Sequence, residues 1–66
     1  MIYTVRYTRH FVSGHLAGLD CEDTVTRLPG TIAGAVLATM IDQERTGRVL
    51  TTHEGNEYTV HNPRVA

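Results

Sequence analysis

The chain has 66 residues, of which 41% are apolar and 20% charged, and its formal net charge at pH 7 is −1. A chain of this length forms one domain, residues 1–66, and buries only about 60% of the surface that its unfolded form exposes. The near-zero charge gives no general attraction to nucleic acid or anionic lipid, and a single cysteine, Cys21, excludes an internal disulfide and a cysteine-rich zinc site.

The apolar residues are spread along the chain. No apolar run approaches the roughly 18 residues of a membrane span, and the N-terminus alternates instead of forming a signal-peptide stretch. We therefore expect a soluble, cytoplasmic protein with no membrane partner. Because so small a core is thin, we also expect support from a partner or from a homo-oligomer.

Residues 1–12 alternate between apolar and polar side chains, which predicts a half-buried first strand. The parity expected to face the core carries Tyr3, Val5, Tyr7 and Phe11. The parity expected to face solvent carries Thr4, Arg6, Thr8 and His10.

Residues 13–20 contain Gly14 and Gly18 and are expected to form a wide turn. The β-branched run at residues 21–28 predicts a second strand, antiparallel to the first, with Cys21 and Val25 facing the core. Pro29 ends that strand because it lacks the N–H that a ladder needs.

A helix of about four turns is predicted to follow, with Thr31 as N-cap, Thr46 as its last residue and Gly47 as terminator. Five apolar residues recur at helical spacing and form one stripe that should lie across the sheet. They are Ala33, Val36, Leu37, Met40 and Ile41.

The last third contains two strand-like runs, residues 49–52 and 58–61, separated by a turn-rich segment. A second interpretation keeps residues 48–57 as a loop and only the later run as a strand. The predicted fold is therefore α+β, an antiparallel sheet with one helix packed on one face, in the order ββαββ or ββαβ.

Four histidines raise the question of a metal site, but none forms a short-spaced pair on one element. His10 and His61 would converge if the first and last strands were neighbours, together with Cys21 or an acid. The simpler interpretation is that the histidines are exposed and that Cys21 is a small apolar residue, since no third orienting group accompanies it. We expect no catalytic residues, no cofactor and no metal, and therefore no enzyme.

A sheet face carrying Arg6, Thr8 and His10 leans basic and is of a kind that binds single-stranded nucleic acid. The aromatic residues of the same strand are on the opposite parity, however, where they cannot stack on bases. Direct nucleic-acid binding is for this reason only a second alternative.

Residues 7–28 combine a tyrosine- and threonine-containing strand, an S-G-x-L-x-G-L connection and a second strand that begins with acidic residues and threonine. The residues of the pattern are Phe11, Ser13, Gly14, Leu16, Gly18, Leu19, Asp23 and Thr24, with a late Tyr58-Thr59-Val60. This pattern resembles small uncharacterised bacteriophage accessory proteins. The resemblance covers about half the chain, carries no catalytic residue, and implies a phage protein in the cytoplasm of an infected bacterium.

Small phage proteins of this kind commonly bind and block a host component. The predicted function is inhibition or redirection of a host protein or ribonucleoprotein, such as a CRISPR–Cas defence system, by steric or electrostatic occlusion. The alternative is a self-assembling structural or accessory phage protein. The candidate partner-binding residues are Arg6, Thr8, His10, Asp42, Glu44, Glu54 and Glu57.

Overall fold

The computed structural model describes all 66 residues as one four-stranded antiparallel sheet and one helix. The elements in chain order are β1 (Ile2–Phe11), β2 (Asp20–Pro29), α1 (Gly30–Thr46), β3 (Leu50–Thr51) and β4 (Glu57–Val65). The strands lie in the order β2-β1-β4-β3. The predicted α+β fold in the order ββαββ is confirmed, because the short β3 pairs with β4. The helix is too short and too polar to cross a membrane.

The alternation along β1 divides the sheet into two faces, as predicted. Val5, Tyr7 and Phe11 are buried on the face that α1 covers, together with Val60 of β4 and Ala33 of the helix. We call this the helix face. Tyr3 shares the parity but lies at the end of the sheet and is 36% exposed, so the core ends near Val5.

The two strands that pair with β1, β2 and β4, each contain one bulge. Tyr3 of β1 pairs with Leu28 of β2, and Val5 pairs with Val25, so β2 has one more residue than β1 between these two pairs. Arg27 lies in this bulge and has φ 58°. Strand β4 has a similar shift, where Asn62 has φ 52°. A one-residue bulge reverses which face later side chains occupy. Arg64 therefore lies on the face opposite the helix, paired with Arg6.

The helix boundaries match the sequence at one end and differ at the other. Gly47 follows the last helical residue, as predicted; it adopts the left-handed conformation, φ 68°, and its N–H donates to the Glu44 carbonyl at 3.2 Å. The predicted N-cap, Thr31, is wrong because the helix begins at Gly30, which makes Pro29 the N-cap, two residues earlier. Pro29 supplies the non-helical residue, with φ −58° and ψ 153°, and no side chain caps the first turn.

The apolar stripe of α1 is only partly buried. Ala33 is buried, and Val36, Leu37 and Met40 are half-buried, whereas Ile41 is 49% exposed. The helix lies mainly against β4 and β1 and reaches β2 little. The part of the helix face that β2 forms therefore has little helix over it. Cys21 and Val25 of β2 are on this face, as predicted, and are half-buried.

The wide β1–β2 connection is attached to the β3–β4 turn through Asn56. The His15 N–H donates to the Asn56 side-chain oxygen at 2.9 Å, and the Asn56 N–H donates to the Thr52 hydroxyl at 3.1 Å. Asn56 is the only buried polar residue of the chain. The two loops at this end of the sheet consequently form one hydrogen-bonded unit.

Candidate functional site

Between Arg6 and His10 of β1, the face of the sheet opposite α1 is polar and has no helix over it. Three strands supply its side chains, because β1 lies between β2 and β4. We call it the open face, and its residues are Arg6, Thr8, His10, Asp20, Glu22, Thr24, Thr59, His61 and Arg64. All nine side chains can donate or accept hydrogen bonds.

Two histidines meet at one end of this face. The ring centroids of His10 and His61 are 5.9 Å apart, and the rings are nearly perpendicular. His10 Nδ1 is 2.5 Å from Asp20 Oδ1, which joins the end of β1 to the start of β2. A shallow depression of about 300 Å³ opens here, and we call it the histidine pocket, lined by Thr8, His10, Asp20 and His61.

The second histidine is held by two neighbours. His61 Nε2 is 2.8 Å from the Thr59 hydroxyl, and its Nδ1 is 4.0 Å from Glu44 Oε2. Glu44 also accepts a hydrogen bond from the Asn62 N–H at 2.8 Å. The last turn of α1 therefore provides a carboxylate at the border of the histidine pocket.

The condition for convergence of His10 and His61 is met, since β1 and β4 are neighbours. The accompanying acid is Asp20. Cys21 does not take part, because it pairs with Arg9 and lies on the helix face. No group of three or more histidine, cysteine, aspartate or glutamate side chains has the geometry of a metal site.

Arginines occupy the other end of the open face. Arg64 forms an ion pair with Glu22 across β1. Arg6 is exposed and forms no ion pair, so its guanidinium is free for an external ligand. The open face thus has a histidine-and-acid end and an arginine end.

The structure brings together some of the predicted partner-binding residues and separates others. Arg6, Thr8 and His10 lie side by side on the open face, and Glu44 reaches its border. Glu57 begins β4, close to the histidine-and-acid end of the open face, and accepts a hydrogen bond from the Ser13 hydroxyl at 2.8 Å.

The remaining two predicted acids do not contact the open face. Asp42 is paired with Arg45 within α1 at 2.5 Å. Glu54 is exposed in the β3–β4 turn and forms no side-chain hydrogen bond or ion pair.

Six residues of the open face were absent from the sequence prediction of the partner-binding site: Asp20, Glu22, Thr24, Thr59, His61 and Arg64. The even-numbered parity of β2 could have indicated Asp20 and Glu22. Arg64 had no such signal, because simple alternation from Val60 places it on the helix face and only the bulge at Asn62 reverses it.

A polar cluster also lies at the margin of the helix face. Arg9 forms an ion pair with Asp23 at 2.8 Å, and its guanidinium carbon is 4.8 Å from the centroid of the Tyr58 ring. The Tyr7 hydroxyl accepts from Arg9 Nη2 at 3.1 Å and donates to Asp23 at 3.3 Å. Burial raises the pKa of Tyr7, against the lowering effect of Arg9. The polar groups of Tyr7, Arg9 and Asp23 form hydrogen bonds and an ion pair with one another, which is typical of a cluster with a structural role.

Comparisons with known proteins do not assign the chain. Neither a family model, a curated protein nor a solved structure matches it significantly. What the protein does must therefore be inferred from its own residues.

Proposed function

We propose that this chain is a phage-encoded binding protein, without catalytic activity, that inhibits or redirects a host macromolecule by covering its working site. The partner is a host protein or ribonucleoprotein, and a defence system such as CRISPR–Cas is the target class that the phage resemblance favours. The observation that carries the proposal is the open face, a rigid polar surface from three strands with nothing packed over it.

The chemistry of the open face supports recognition. Strands hold their side chains at fixed spacings, so the donors and acceptors are arranged before a partner arrives, which lowers the entropy lost on binding. Arg6 offers a planar fork of donors that suits a carboxylate or phosphate. Polar and charged surfaces of this kind contribute mainly to specificity and to the rate of association.

The size of the protein limits how a partner can bind. A stable interface buries about 800 Å² on each partner, which is close to a fifth of the 4363 Å² surface of this chain. The open face is only three strands wide, or about 10–14 Å. The partner must therefore also contact its borders, where Glu44 and Glu57 lie.

The experiment is capture of host proteins from bacterial lysate by the tagged chain, with mass spectrometry of what is retained. We expect a stoichiometric host protein or ribonucleoprotein, and we expect the triple variant Arg6→Ala, Thr8→Ala, His10→Ala to lose it. The matched control is Asp42→Ala with Glu54→Ala, which removes two predicted residues that do not contact the open face. Equal capture by both variants, with both folded by circular dichroism, would refute this surface.

A second candidate function, self-assembly into a phage structure, is favoured by a different observation. A shallow groove of about 400 Å³ runs along α1, and Ile32 beside it is 50% exposed. The outer edge of β2 is also unpaired, although the bulge at Arg27 interrupts it. Sedimentation velocity separates the two functions, because self-assembly requires a stable oligomer in the absence of any host factor.

The nucleic-acid alternative has less support. Tyr7 and Phe11 are buried on the helix face and cannot stack on bases. The open face carries as many acidic as arginine side chains, since Asp20 and Glu22 balance Arg6 and Arg64.

A further inference from the structure

We propose that the histidine pocket receives a basic side chain, a lysine ammonium or an arginine guanidinium, from the partner protein. This inference rests on the proposed function and names the chemistry of the partner at one end of the open face.

The charge of the pocket favours a cation. Asp20 is the only lining residue with a full charge when the histidines are neutral, and Glu44 adds a second carboxylate 4.0 Å from His61 Nδ1. No arginine lines the pocket. On the same face, Arg64 is paired with Glu22.

The pocket also has unused acceptor atoms. The hydrogen bond between His10 Nδ1 and Asp20 Oδ1 places the proton of a neutral ring on Nδ1, so Nε2 keeps its lone pair as an acceptor. The second carboxylate oxygen of Asp20 has no hydrogen-bond partner in the chain. An ammonium or guanidinium group, which only donates, matches two such acceptors.

The side chains that line the histidine pocket are accessible to a partner. The side chains of His10 and Asp20 are 44% and 66% exposed, and the side chain of His61 is 49% exposed. Thr8 also lines the depression, and its Cα partner on β4 is His61. The depression is therefore open toward solvent and bordered by acceptors on both sides.

The test is an NMR titration of the histidine side-chain resonances at neutral pH, with N-acetyl-arginine amide as the probe. We expect saturable shifts of His10 and His61, with His15 and His53 unaffected. Asp20→Asn should lower the affinity for the probe roughly fivefold, the equivalent of one exposed ion pair. The control Asp42→Asn should leave this affinity unchanged. His10→Gln is a second variant that should also weaken the probe.

The opposite result is equally clear. Shifts produced by sodium phosphate and not by the arginine probe would overturn the proposal, because the pocket would then select anions. No shift with the arginine probe, or equal affinity in wild type and Asp20→Asn, would also overturn it.

The two proposals fail separately. If the probe does not bind but the wild-type chain captures a host partner that Arg6→Ala, Thr8→Ala, His10→Ala loses, only the pocket assignment is wrong. If the probe binds as expected but no host partner is captured, the pocket stands and the proposed function is wrong.

Discussion

Gly14 lies where the β1–β2 connection contacts Asn56 of the β3–β4 turn, and this contact leaves no space for a side chain. It has φ 86°, and a Cβ built on it would lie 2.2 Å from the Asn56 side-chain oxygen. That oxygen already accepts the His15 N–H, so it cannot move away without losing the bond that joins the two loops.

We expect Gly14→Ala to lower the free energy of unfolding by about 2–3 kcal/mol, from backbone strain plus the displaced hydrogen bond. The matched control is Gly18→Ala, which has φ 87° but no atom within 4 Å of the added Cβ. This control should cost only about 1 kcal/mol, from the backbone strain of alanine at a positive φ alone. Urea denaturation measures both, and equal losses would mean that the contact with Asn56 is unimportant.

Tyr7 gives a second prediction at the residue scale, a loss of stability in alkali. Burial is the main cause that raises the pKa of Tyr7, with Asp23 and Tyr58 also raising it and Arg9 opposing them. The folded state therefore favours the neutral phenol more than the unfolded state does. The corresponding stabilisation is fully present below about pH 10, the unfolded value, and is lost as the pH rises through the higher pKa of the folded state.

The measurement is the free energy of unfolding from about pH 8 to about pH 11, in wild type and Tyr7→Phe. The variant should be less stable by about 1 kcal/mol at the lower pH because the hydroxyl hydrogen bonds are gone. Its stability should also fall less steeply in alkali. Parallel curves for the two proteins would contradict the assigned pKa shift.

At the scale of elements, α1 contains a glycine that the fold does not need. Gly34 lies in the helix interior, and a Cβ added to it would meet no atom within 4 Å. We expect Gly34→Ala to raise the free energy of unfolding by about 0.5–1 kcal/mol, because alanine loses less backbone entropy in a helix. Thermal denaturation checks this, with Gly47→Ala as the control of opposite sign because Gly47 holds the left-handed C-terminal position. A destabilised Gly34→Ala would contradict the open space beside this glycine.

The elements also show which parts of the fold the sequence could predict. Alternation in β1 predicted both faces of the sheet, because a strand without a bulge has a strict period of two. The glycine after α1 predicted the end of the helix for a similarly local reason. Thr31 failed as the N-cap because Pro29, whose ring fixes φ, already provided the transition from strand to helix.

The candidate site was predictable only in part, for a physical reason. The meeting of His10 and His61 followed once β1 and β4 were assumed to be neighbours, but the strand order itself is a long-range property. Arg64 depended on the bulge at Asn62, where a non-glycine residue adopts a positive φ that simple alternation does not reveal. Sequence patterns report local periods, whereas the composition of the open face depends on how three strands are aligned.

At the scale of the whole molecule, the dominant feature is a thin core. Six of the 66 residues are buried, and the molecule is elongated, with dimensions of 37 × 21 × 17 Å. In a domain this small, a single core rarely supplies more than about 3–5 kcal/mol of stability. We expect a value in this range by urea denaturation, and a higher midpoint when the captured partner is added, because a ligand that binds only the folded state stabilises it. An unchanged midpoint at saturating partner would contradict binding to the folded chain.

The central claim, that a host partner covers the open face, can be tested with the four histidines as built-in probes. His10 and His61 lie on the open face, whereas His15 and His53 are exposed in the loops. Carbethoxylation of the free chain and of its captured complex, read by mass spectrometry, measures the accessibility of each ring. We expect His10 and His61 to be protected in the complex, with His15 and His53 still reactive. Protection of His15 or His53 while His10 and His61 remain reactive would contradict it.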